Sequence, residues 1–304
     1  MDVLANVMRT TQVQGVILSV SRHAAGWGFR MEKSDYVGFH YVVHGDGFLK
    51  VGSGRPLRLQ QGDLVLVPGG AAHSVSHRTD STVVPLEVMV AEQARRPVAP
   101  ARALTTLVCG AFRCEGGPSP LFSLLPPIVH LAAADIRRTP ALDSTLRLLL
   151  DEIDRARPGN EVLADRLVDA LLIYVLRWWV ERQPDGRGGW LRALEDPAVG
   201  RTIATVHAEP TRRWTVDSLA SSVGMSRAAF ARRFSELVGV PPLAYLTRWR
   251  IELARRRLRE TAQSVAEIAA SVGYDSEFSF SRAFKREVGE PPSAYRQRHS
   301  RKAA

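Results

Sequence analysis

The chain has 304 residues, a length that favours two domains over one. It has only two cysteines and no run of eighteen apolar residues, which argues against a disulfide-stapled secreted scaffold and against a membrane-spanning helix. With an N-terminus that lacks export-signal features, these observations predict a cytoplasmic location. The net charge is +10, and residues 190–304 carry 20 lysines and arginines against 12 acidic residues. The basic C-terminal part predicts a polyanionic partner, and the nearly neutral remainder predicts a different task.

The first hundred residues show β-branched runs interrupted by Gly, Pro and Asp, which predicts an all-β barrel or sandwich. The predicted strand segments are GVILSV, FHYVVHGDGFLKV, PLRLQQGDLVLVPGG and STVVPLEVMV. After a Pro-bounded connection at 118–127, apolar residues recur at helical spacing in Ser144–Ala156 and Val162–Gln183. The segment Gln183–Gly189 (QPDGRGG) then predicts an interdomain linker.

The second predicted helix, at 162–183, is apolar on more than one face. A helix of this kind usually needs two partners to cover it. Two interpretations stay open: ordinary packing against the barrel, or packing that also includes a second subunit. We therefore expect a homodimer that forms through this helix.

An internal repeat lies in the basic C-terminal part. Leu219–Ser226 (LASSVGMS) matches Ile268–Asp275 (IAASVGYD) at an offset of 49, and further matches follow at an offset of 50 from residue 230 onward. Each copy has the pattern of a short helix, a turn at glycine, an N-cap and a second helix. This pattern predicts two helix-turn-helix units.

Single residues within the repeat predict its local geometry. Gly224 and Gly273 supply the positive φ that each turn requires. Ser226 is expected to cap the second helix of the first copy, and either Asp275 or Ser276 that of the second copy. Paired phenylalanines four residues apart should face the core of each unit, which puts the arginines between them on the outer face.

Residues 241–260 open with proline and contain no later helix breaker, so they are predicted to form one helix. Its length would be roughly 30 Å. Successive major grooves on one face of B-DNA repeat every ~34 Å, so this connector could hold two recognition helices on one continuous site.

Residues 198–299 resemble the DNA-binding domain of AraC/XylS-family transcription regulators, because Gly273–Arg296 (GYDSEFSFSRAFKREVGEPPSAYR) closely resembles the family signature. The resemblance implies an α+β two-domain protein, with a cupin-like β-barrel followed by helices and an all-α tandem helix-turn-helix domain. The expected divisions are a barrel at 1–117, a helical packing or dimerisation segment at 118–183, a linker at 184–197 and a DNA-binding domain at 198–304. Within that domain we expect helix-turn-helix units at about 215–238 and 264–288, joined by a helix at about 241–260.

The resemblance also implies which side chains contact DNA. They are Arg227, Ala228, Ala231 and Arg232 in the first copy, and Glu277, Phe278, Ser281, Arg282 and Lys285 in the second. Arg232 and Arg282 are expected to read bases, since arginine can contact guanine bidentately, with phosphate contact as the alternative. Contacts to the DNA backbone, or simple solvation, are expected of a further set: Arg233, Lys285, Arg286 and the run Arg255–Arg257.

The N-terminal half contains a second resemblance. Gly62–His73 (GDLVLVPGGAAH) resembles the second cupin motif, G-x5-P-x-G-x2-H, and His40 and His44 stand where the first motif places metal ligands. The first motif requires H-x-H followed by Glu, and this chain has H-x3-H without that Glu. On a strand, His40 and His44 could both face the barrel interior about 13 Å apart. A divalent metal held by one of them with His73 and His77 is one interpretation, and a barrel without metal is the other.

Many members of the resembled family bind a small effector in the cupin barrel, whose mouth is a natural ligand cavity. Oxidant sensing through Cys109 and Cys114 is an alternative input, although a buried cysteine is the plainer expectation for the VCG strand. We expect a regulator that binds double-stranded promoter DNA and modulates RNA polymerase. A cupin enzyme with an added DNA-binding module and an architectural DNA-binder with an inert barrel are the alternatives.

Overall fold

The computed structural model describes residues 13–34, 36–114, 125–155, 157–182 and 193–300, together with Phe122 and a few positions before residue 13. The chain divides into two compact units, an N-terminal unit within residues 13–178 and a C-terminal unit that contains residues 179–304. The predicted linker at 184–197 lies largely outside the described residues. In the described ranges, no helix combines the length and apolar character that crossing a bilayer requires.

The N-terminal unit is built mainly from β-strands. They are β1 Val13–His23, β2 Gly28–Met31, β3 Tyr36–His44, β4 Asp46–Val51, β5 Leu57–Gln60, β6 Leu64–Val67, β7 His73–Ser76, β8 Val84–Pro85, β9 Thr105–Cys114 and β10 Val129–Leu131. Among the described residues they form two five-stranded sheets, in the orders β1-β9-β3-β6-β10 and β5-β4-β7-β2-β8. The cupin-like β-rich domain is therefore present as two sheets, not as one closed cylinder.

One hydrophobic core lies between the two sheets. Its buried members come from both sheets and the segments beside them: Trp27, Phe29, Val42, Leu49, Leu59, Val65, Val67, Val75, Met89, Leu107 and Cys109. Strand β6 is buried at all four of its residues, as expected for a strand with neighbours on both sides and a covered outer face. This core fixes which side chains of β3 and β9 point inward.

The segment STVVPLEVMV is a helix for most of its length, so the strand predicted there is wrong. Only Val84–Pro85 forms strand β8, and helix α1 spans Leu86–Arg95. Proline has no N–H to continue a β-ladder but is tolerated at a helix N-terminus, where Pro85 is the N-cap. The residues after it include good helix formers, and their propensity outweighs that of the valines. Helix α1 buries Met89 in the core.

Strand β3 contains an irregularity that the sequence does not reveal. Its pairing with β9 shifts register between Val42 and His44. A bulge inserts one extra residue, so the side chains beyond it change sides. His40 and Val42 are buried, whereas His44 is exposed. The prediction that His40 and His44 could both face the interior is therefore wrong.

Three helices follow the strands: α2 Ala133–Arg137, α3 Pro140–Asp154 and α4 Asn160–Arg182. Helix α4 packs closely on β1, because the Gly15 N–H donates to an Asp169 carboxylate oxygen at 2.6 Å. A Cβ at Gly15 would lie 2.3 Å from Val168 Cγ1. Most apolar residues of α4 are buried within the chain, among them Ala164, Val168, Leu171, Leu172, Val175, Leu176 and Trp178. Val162 and Leu163, in the first turn of this helix, are exposed, and packing against a second subunit stays a prediction.

The C-terminal unit is helical throughout its described part. Its helices are α5 Pro197–Ala208, α6 Val216–Ser222, α7 Arg227–Val238, α8 Pro242–Glu260, α9 Val265–Ser271, α10 Glu277–Val288 and α11 Pro292–Ser300. Helices α6–α7 and α9–α10 are the two helix-turn-helix copies, so the predicted tandem repeat is confirmed. Gly224 and Gly273 have φ angles of 71° and 89°, which explains the need for glycine at both turns.

The caps follow the sequence rules closely. Ser226 caps α7 by accepting from Ala229 N, and Ser276 caps α10 by accepting from Ser279 N. Of the two candidates for the second cap, Ser276 is therefore the one used, and Asp275 is free for a different contact. These caps set where each recognition helix begins.

Helix α8 contributes to the cores of both helix-turn-helix copies. In the first core, the Trp249 and His207 rings stack with centroids 3.7 Å apart, and Phe234 meets Tyr245 at 5.9 Å. The second core contains Ile251, Ala254 and Leu258 of α8 packed with Ile268, Ala269, Val272, Phe280, Ala283, Phe284 and Tyr295. One helix of 19 residues, about 28 Å long, therefore carries both copies.

Asp63 joins the strands to the helices that follow them. Its side chain is only 5% exposed, and it accepts hydrogen bonds from Gln60 N at 3.0 Å, Ala133 N at 2.8 Å and His130 Nε2 at 3.0 Å. The Ala133 N–H lies at the start of α2, where helix N–H groups lack partners within the helix. Burial alone would raise the pKa of Asp63, but these hydrogen bonds outweigh it and hold the pKa below its usual value.

The substitution Asp63→Asn should lower the free energy of unfolding by about 1–3 kcal/mol, because it removes a charged acceptor from buried donors. Since the folded-state pKa of Asp63 is lowered, its contribution is present above the pKa of the unfolded carboxyl and is lost as the pH falls below it. Thermal unfolding between pH 6 and pH 3 should therefore show a smaller loss of Tm in the variant. Asp80→Asn, at an exposed pair with Arg78, is the matched control and should change little. Equal effects of the two substitutions would contradict this account of Asp63.

Candidate functional site

The outer face of α7 carries only arginine and alanine among the residues that are predicted to contact DNA. Phe230 and Phe234 point into the core, which leaves Ala228 and Arg232 exposed on the opposite side. Arg227, the first residue of the helix, is also exposed. Ala231, also predicted to contact DNA, is half-buried. Arg227 lies 3.3 Å from an Asp217 carboxylate oxygen, and both side chains are exposed.

The outer face of α10 carries more varied chemistry. Glu277, Phe278, Arg282 and Lys285 are exposed, and Ser281 is half-buried. Phe278 is 72% exposed, an unusual position for a large aromatic ring. The Arg282 guanidinium lies 5.7 Å from the centroid of that ring, a cation–π distance. The face therefore offers a carboxylate, a hydroxyl, an aromatic ring and a guanidinium together.

Two of the arginines expected to anchor the DNA backbone have partners inside the protein. Arg233 Nε donates to Asp196 at 2.8 Å, and the same Asp196 carboxylate caps α5 through Ala198 N and Val199 N. Arg255 is 2% exposed and lies 3.1 Å from the buried Glu252. The expectation of a DNA backbone contact or solvation is wrong for Arg255, because its side chain is buried. The Arg233 side chain is 53% exposed, so its contact with the DNA backbone stays a prediction. Among the described contacts, no carboxylate pairs with Arg232 or Arg282.

Two histidines of the N-terminal unit, His40 and His73, form a buried hydrogen-bonded row with Cys109 and the Ala71 carbonyl. His40 Nε2 lies 2.9 Å from His73 Nε2, His40 Nδ1 lies 3.1 Å from Cys109 Sγ, and His73 Nδ1 lies 2.7 Å from the Ala71 carbonyl oxygen. Burial lowers the pKa of both rings, and the proximity of His73 lowers that of His40 further. Two neutral rings fix the direction of the row, because the Ala71 carbonyl can only accept. His73 Nδ1–H donates to Ala71, His40 Nε2–H to His73, and the Cys109 thiol to His40.

The other two predicted metal ligands lie elsewhere. His44 is exposed beyond the β3 bulge, and the His77 ring accepts from Gly26 N at 3.3 Å. In the residues that the structure describes, no group of three His, Cys, Asp or Glu side chains could hold a metal ion. Catalytic zinc sites use three protein ligands, and the His40–His73 pair supplies two that already bond to each other. The described histidines and their neighbours therefore do not fit a divalent metal.

The predicted redox pair has an unfavourable geometry. Cys109 is fully buried, and burial raises the pKa of its thiol to about 12, so the thiolate that reacts with oxidants is scarce. Both cysteines belong to strand β9, where five residues of extended chain span about 16 Å. A disulfide needs Cα atoms within about 7 Å, so this strand keeps the two apart. The side chain of Cys114 lies outside the described residues.

Comparisons with known proteins assign the chain to a family. Residues 2–181 match the family model described as Cupin, and residues 219–298 match that of a helix-turn-helix domain. A putative AraC-like transcription regulator of Streptomyces lividans is 37% identical over 284 residues, which cover 91% of this chain and 92% of that protein. The chain belongs to the AraC-like transcription regulators. It is a DNA-binding transcription regulator with an N-terminal cupin domain.

Two further relatives align over similar lengths. The HTH-type transcriptional regulator AlkR of Acinetobacter baylyi is 31% identical, covering 89% of this chain and 91% of that protein. The RCS-specific HTH-type transcriptional activator RclR of Escherichia coli is 29% identical over 98% of both chains. Both relatives are named as transcriptional regulators. The tandem repeat predicted the same class of protein for this chain.

A cavity of about 680 Å³ lies beside the turn between β1 and β2. Trp27 and Met89 form its buried side, and Glu92, Gln93 and Arg95 line it along α1. Its volume is in the range of small-molecule sites. The helical wall of this cavity was not predicted from the sequence, because the segment that forms α1 was predicted as a strand.

Ring stacking and an amide fix one wall of this cavity. The His23 and Trp27 rings stack at 4.4 Å between centroids, and burial lowers the pKa of His23 to about 4, so this ring is neutral at neutral pH. The Gln93 side-chain amide nitrogen lies 3.0 Å from the Arg22 carbonyl oxygen and 3.1 Å from His23 Nδ1. Helix α1 is thereby bonded to the end of β1, and the wall is preformed.

The substitution Arg282→Ala should relax base preference at one position of the DNA site and weaken binding by about 1–3 kcal/mol, because an outward guanidinium is lost. Lys285→Ala, on the same face, should instead weaken binding evenly across sequences and reduce the salt dependence by about one counterion. Binding of each variant to a set of duplexes with single base changes, at two salt concentrations, measures both effects. If Arg282→Ala lowers the affinity equally for all duplexes, Arg282 contacts a phosphate and does not read a base.

Proposed function

We propose that this AraC-like regulator reads an asymmetric DNA site with α7 and α10 and responds to a small effector bound in its cupin domain. The proposal rests mainly on the unequal chemistry of the two exposed helix faces. Helix α10 offers four kinds of base-contacting group, whereas α7 offers two arginines and two alanines. Arg232 and Arg282 are the proposed base readers, since arginine contacts to guanine are the commonest specific contacts in the major groove.

The cavity beside α1 supports an effector site. Its preformed aromatic wall and the polar groups along α1 match the usual composition of ligand pockets.

The first turn of α4 supports a homodimer. Val162 and Leu163, adjacent in the chain, are 65% and 46% exposed. Exposed apolar groups on a helical segment mark interaction sites when they are clustered. A second copy of the chain at this segment is the proposed partner, and the dimer at a promoter would modulate RNA polymerase.

The experiment that tests the proposal is sequencing of the DNA fragments that the full-length protein retains, with and without small molecules from cell extract. Recovery of one asymmetric motif, with an affinity that the extract changes, is the expected result. Retention of DNA without regard to sequence would overturn base reading by α7 and α10. A motif bound equally with and without extract would overturn effector control.

The substitution Thr82→Trp should abolish the response to extract and leave DNA binding intact. Thr82 is an exposed residue at the cavity wall, so a large ring there fills the cavity without entering the core. Thr79→Trp is the matched control, since Thr79 is exposed nearby but does not line the cavity. Operator affinity measured with and without extract distinguishes the two variants. An unchanged response in Thr82→Trp would move the effector site elsewhere.

The substitution Leu163→Glu should shift the protein from dimer to monomer, because a carboxylate replaces an apolar contact in the proposed interface. The fold should survive, since Leu163 is 46% exposed in one copy of the chain. Sedimentation velocity at several concentrations measures the mass. Val88→Glu, at an apolar residue of α1 that is 40% exposed, is the control and should leave the mass unchanged. A Leu163→Glu protein with the wild-type mass would place the interface outside this turn.

A further inference from the structure

The loop 209–214, which leads into the first helix-turn-helix copy, lies against the turn of the second copy. A Cβ at Gly273 would be 2.8 Å from Thr211 Cα, so the two backbones approach as closely as glycine allows. Beside this contact, Arg213 donates to an Asp275 carboxylate oxygen at 2.6 Å. The loop that leads into the first copy therefore contacts the second copy directly, in addition to the connection through α8.

Arg250 lies where the two copies meet. It stands on α8 between Trp249, which belongs to the first core, and Ile251, which belongs to the second. Its Nε donates to the Pro210 carbonyl at 2.7 Å, and one terminal nitrogen donates to the Arg212 carbonyl at 2.9 Å. One side chain thus holds the loop at two carbonyls, one on each side of Thr211.

The same guanidinium also faces the second copy. It lies 5.7 Å from the centroid of the Tyr274 ring, and a Cβ at Gly273 would be 2.8 Å from its terminal nitrogen. Tyr274 follows Gly273 in the turn that leads to Ser276, the cap of α10. Arg250 therefore contacts the loop before α6 of the first copy and the turn between α9 and α10 of the second.

Burial indicates which of the two arginine contacts matters more. Arg213 and Asp275 are 84% and 77% exposed, and ion pairs of this kind contribute little. Arg250 is half-buried and makes two charge-assisted hydrogen bonds to backbone carbonyls, which are stronger than neutral ones. The loop is held chiefly by Arg250.

We propose that Arg250 is a positioning residue that sets the distance and rotation between recognition helices α7 and α10. It would thereby determine which spacing between two base-contacted segments one subunit accepts. One inserted base pair moves the next segment by about 3.4 Å along the DNA and about 35° around it. A fixed pair of helices cannot follow that change without losing contacts, whereas a loosened pair can. The inference rests on the proposed base reading by both helices.

The test uses the full-length protein and a duplex obtained by in vitro selection with it. Two further duplexes have one base pair inserted or removed between the segments that α7 and α10 contact. For the wild type, fluorescence anisotropy should show about a tenfold or greater loss of affinity at either changed spacing, the size of a lost base contact. Arg250→Met should lose most of this discrimination and also bind the original spacing more weakly, since its competent arrangement is less populated.

Arg256→Met is the matched control, because Arg256 lies on the same helix and pairs with the exposed Glu260 at 2.9 Å. It should keep the wild-type ratio of affinities between spacings, even if its absolute affinity falls. Arg213→Ala should change the ratio only slightly. A folded Arg250→Met protein with the wild-type ratio, or with an equal loss at every spacing, would overturn the inference.

Arg250→Gln serves if the methionine variant does not fold, since glutamine stays polar at this half-buried position but cannot bond both carbonyls. For this variant, the ratio of the affinity for the original spacing to that for a changed spacing should also fall towards one. A ratio equal to that of the wild type would overturn the inference. Base changes under α7 or α10 that leave wild-type affinity unaffected would contradict the proposed function instead. The two failures are therefore distinguishable.

Discussion

The DNA-binding unit depends on one helix that is shared by two hydrophobic cores. Trp249 of α8 stacks on His207 in the first core, and two residues later Ile251 enters the second. A break in α8 would separate the cores, because each depends on the half of the helix that it packs against. Helices α7 and α10 therefore belong to one packed unit. The loop 209–214 adds a second connection between the two helix-turn-helix copies.

Features that follow from local rules could be predicted from the sequence. The repeat, the positive φ at Gly224 and Gly273, and the cap at Ser226 each depend on a few adjacent residues. The exposure of Arg232 and Arg282 followed from the position of phenylalanines four residues apart. Helix α1 was missed because its valines suggested a strand, although Pro85 begins a helix there.

Features that join distant residues could not be predicted. Asp196 and Arg233 are 37 residues apart, and nothing near either residue identifies the other as its partner. The bulge in β3 depends on the pairing with β9, so spacing alone put His44 on the wrong side. The row from Cys109 to His73 joins three separate strands, and its proton order follows only from the Ala71 carbonyl at its end.

The residues on the outer faces of α7 and α10 take little part in the cores. Ala228, Phe278 and Arg282 are exposed, and Phe230 and Phe280 behind them hold the helices in place. Exchanges at such surface positions usually change folding stability by less than about 0.5 kcal/mol. Evolution can therefore alter these positions one at a time without endangering the fold. Duplicated copies of such a gene could diverge towards new promoters while keeping the same scaffold.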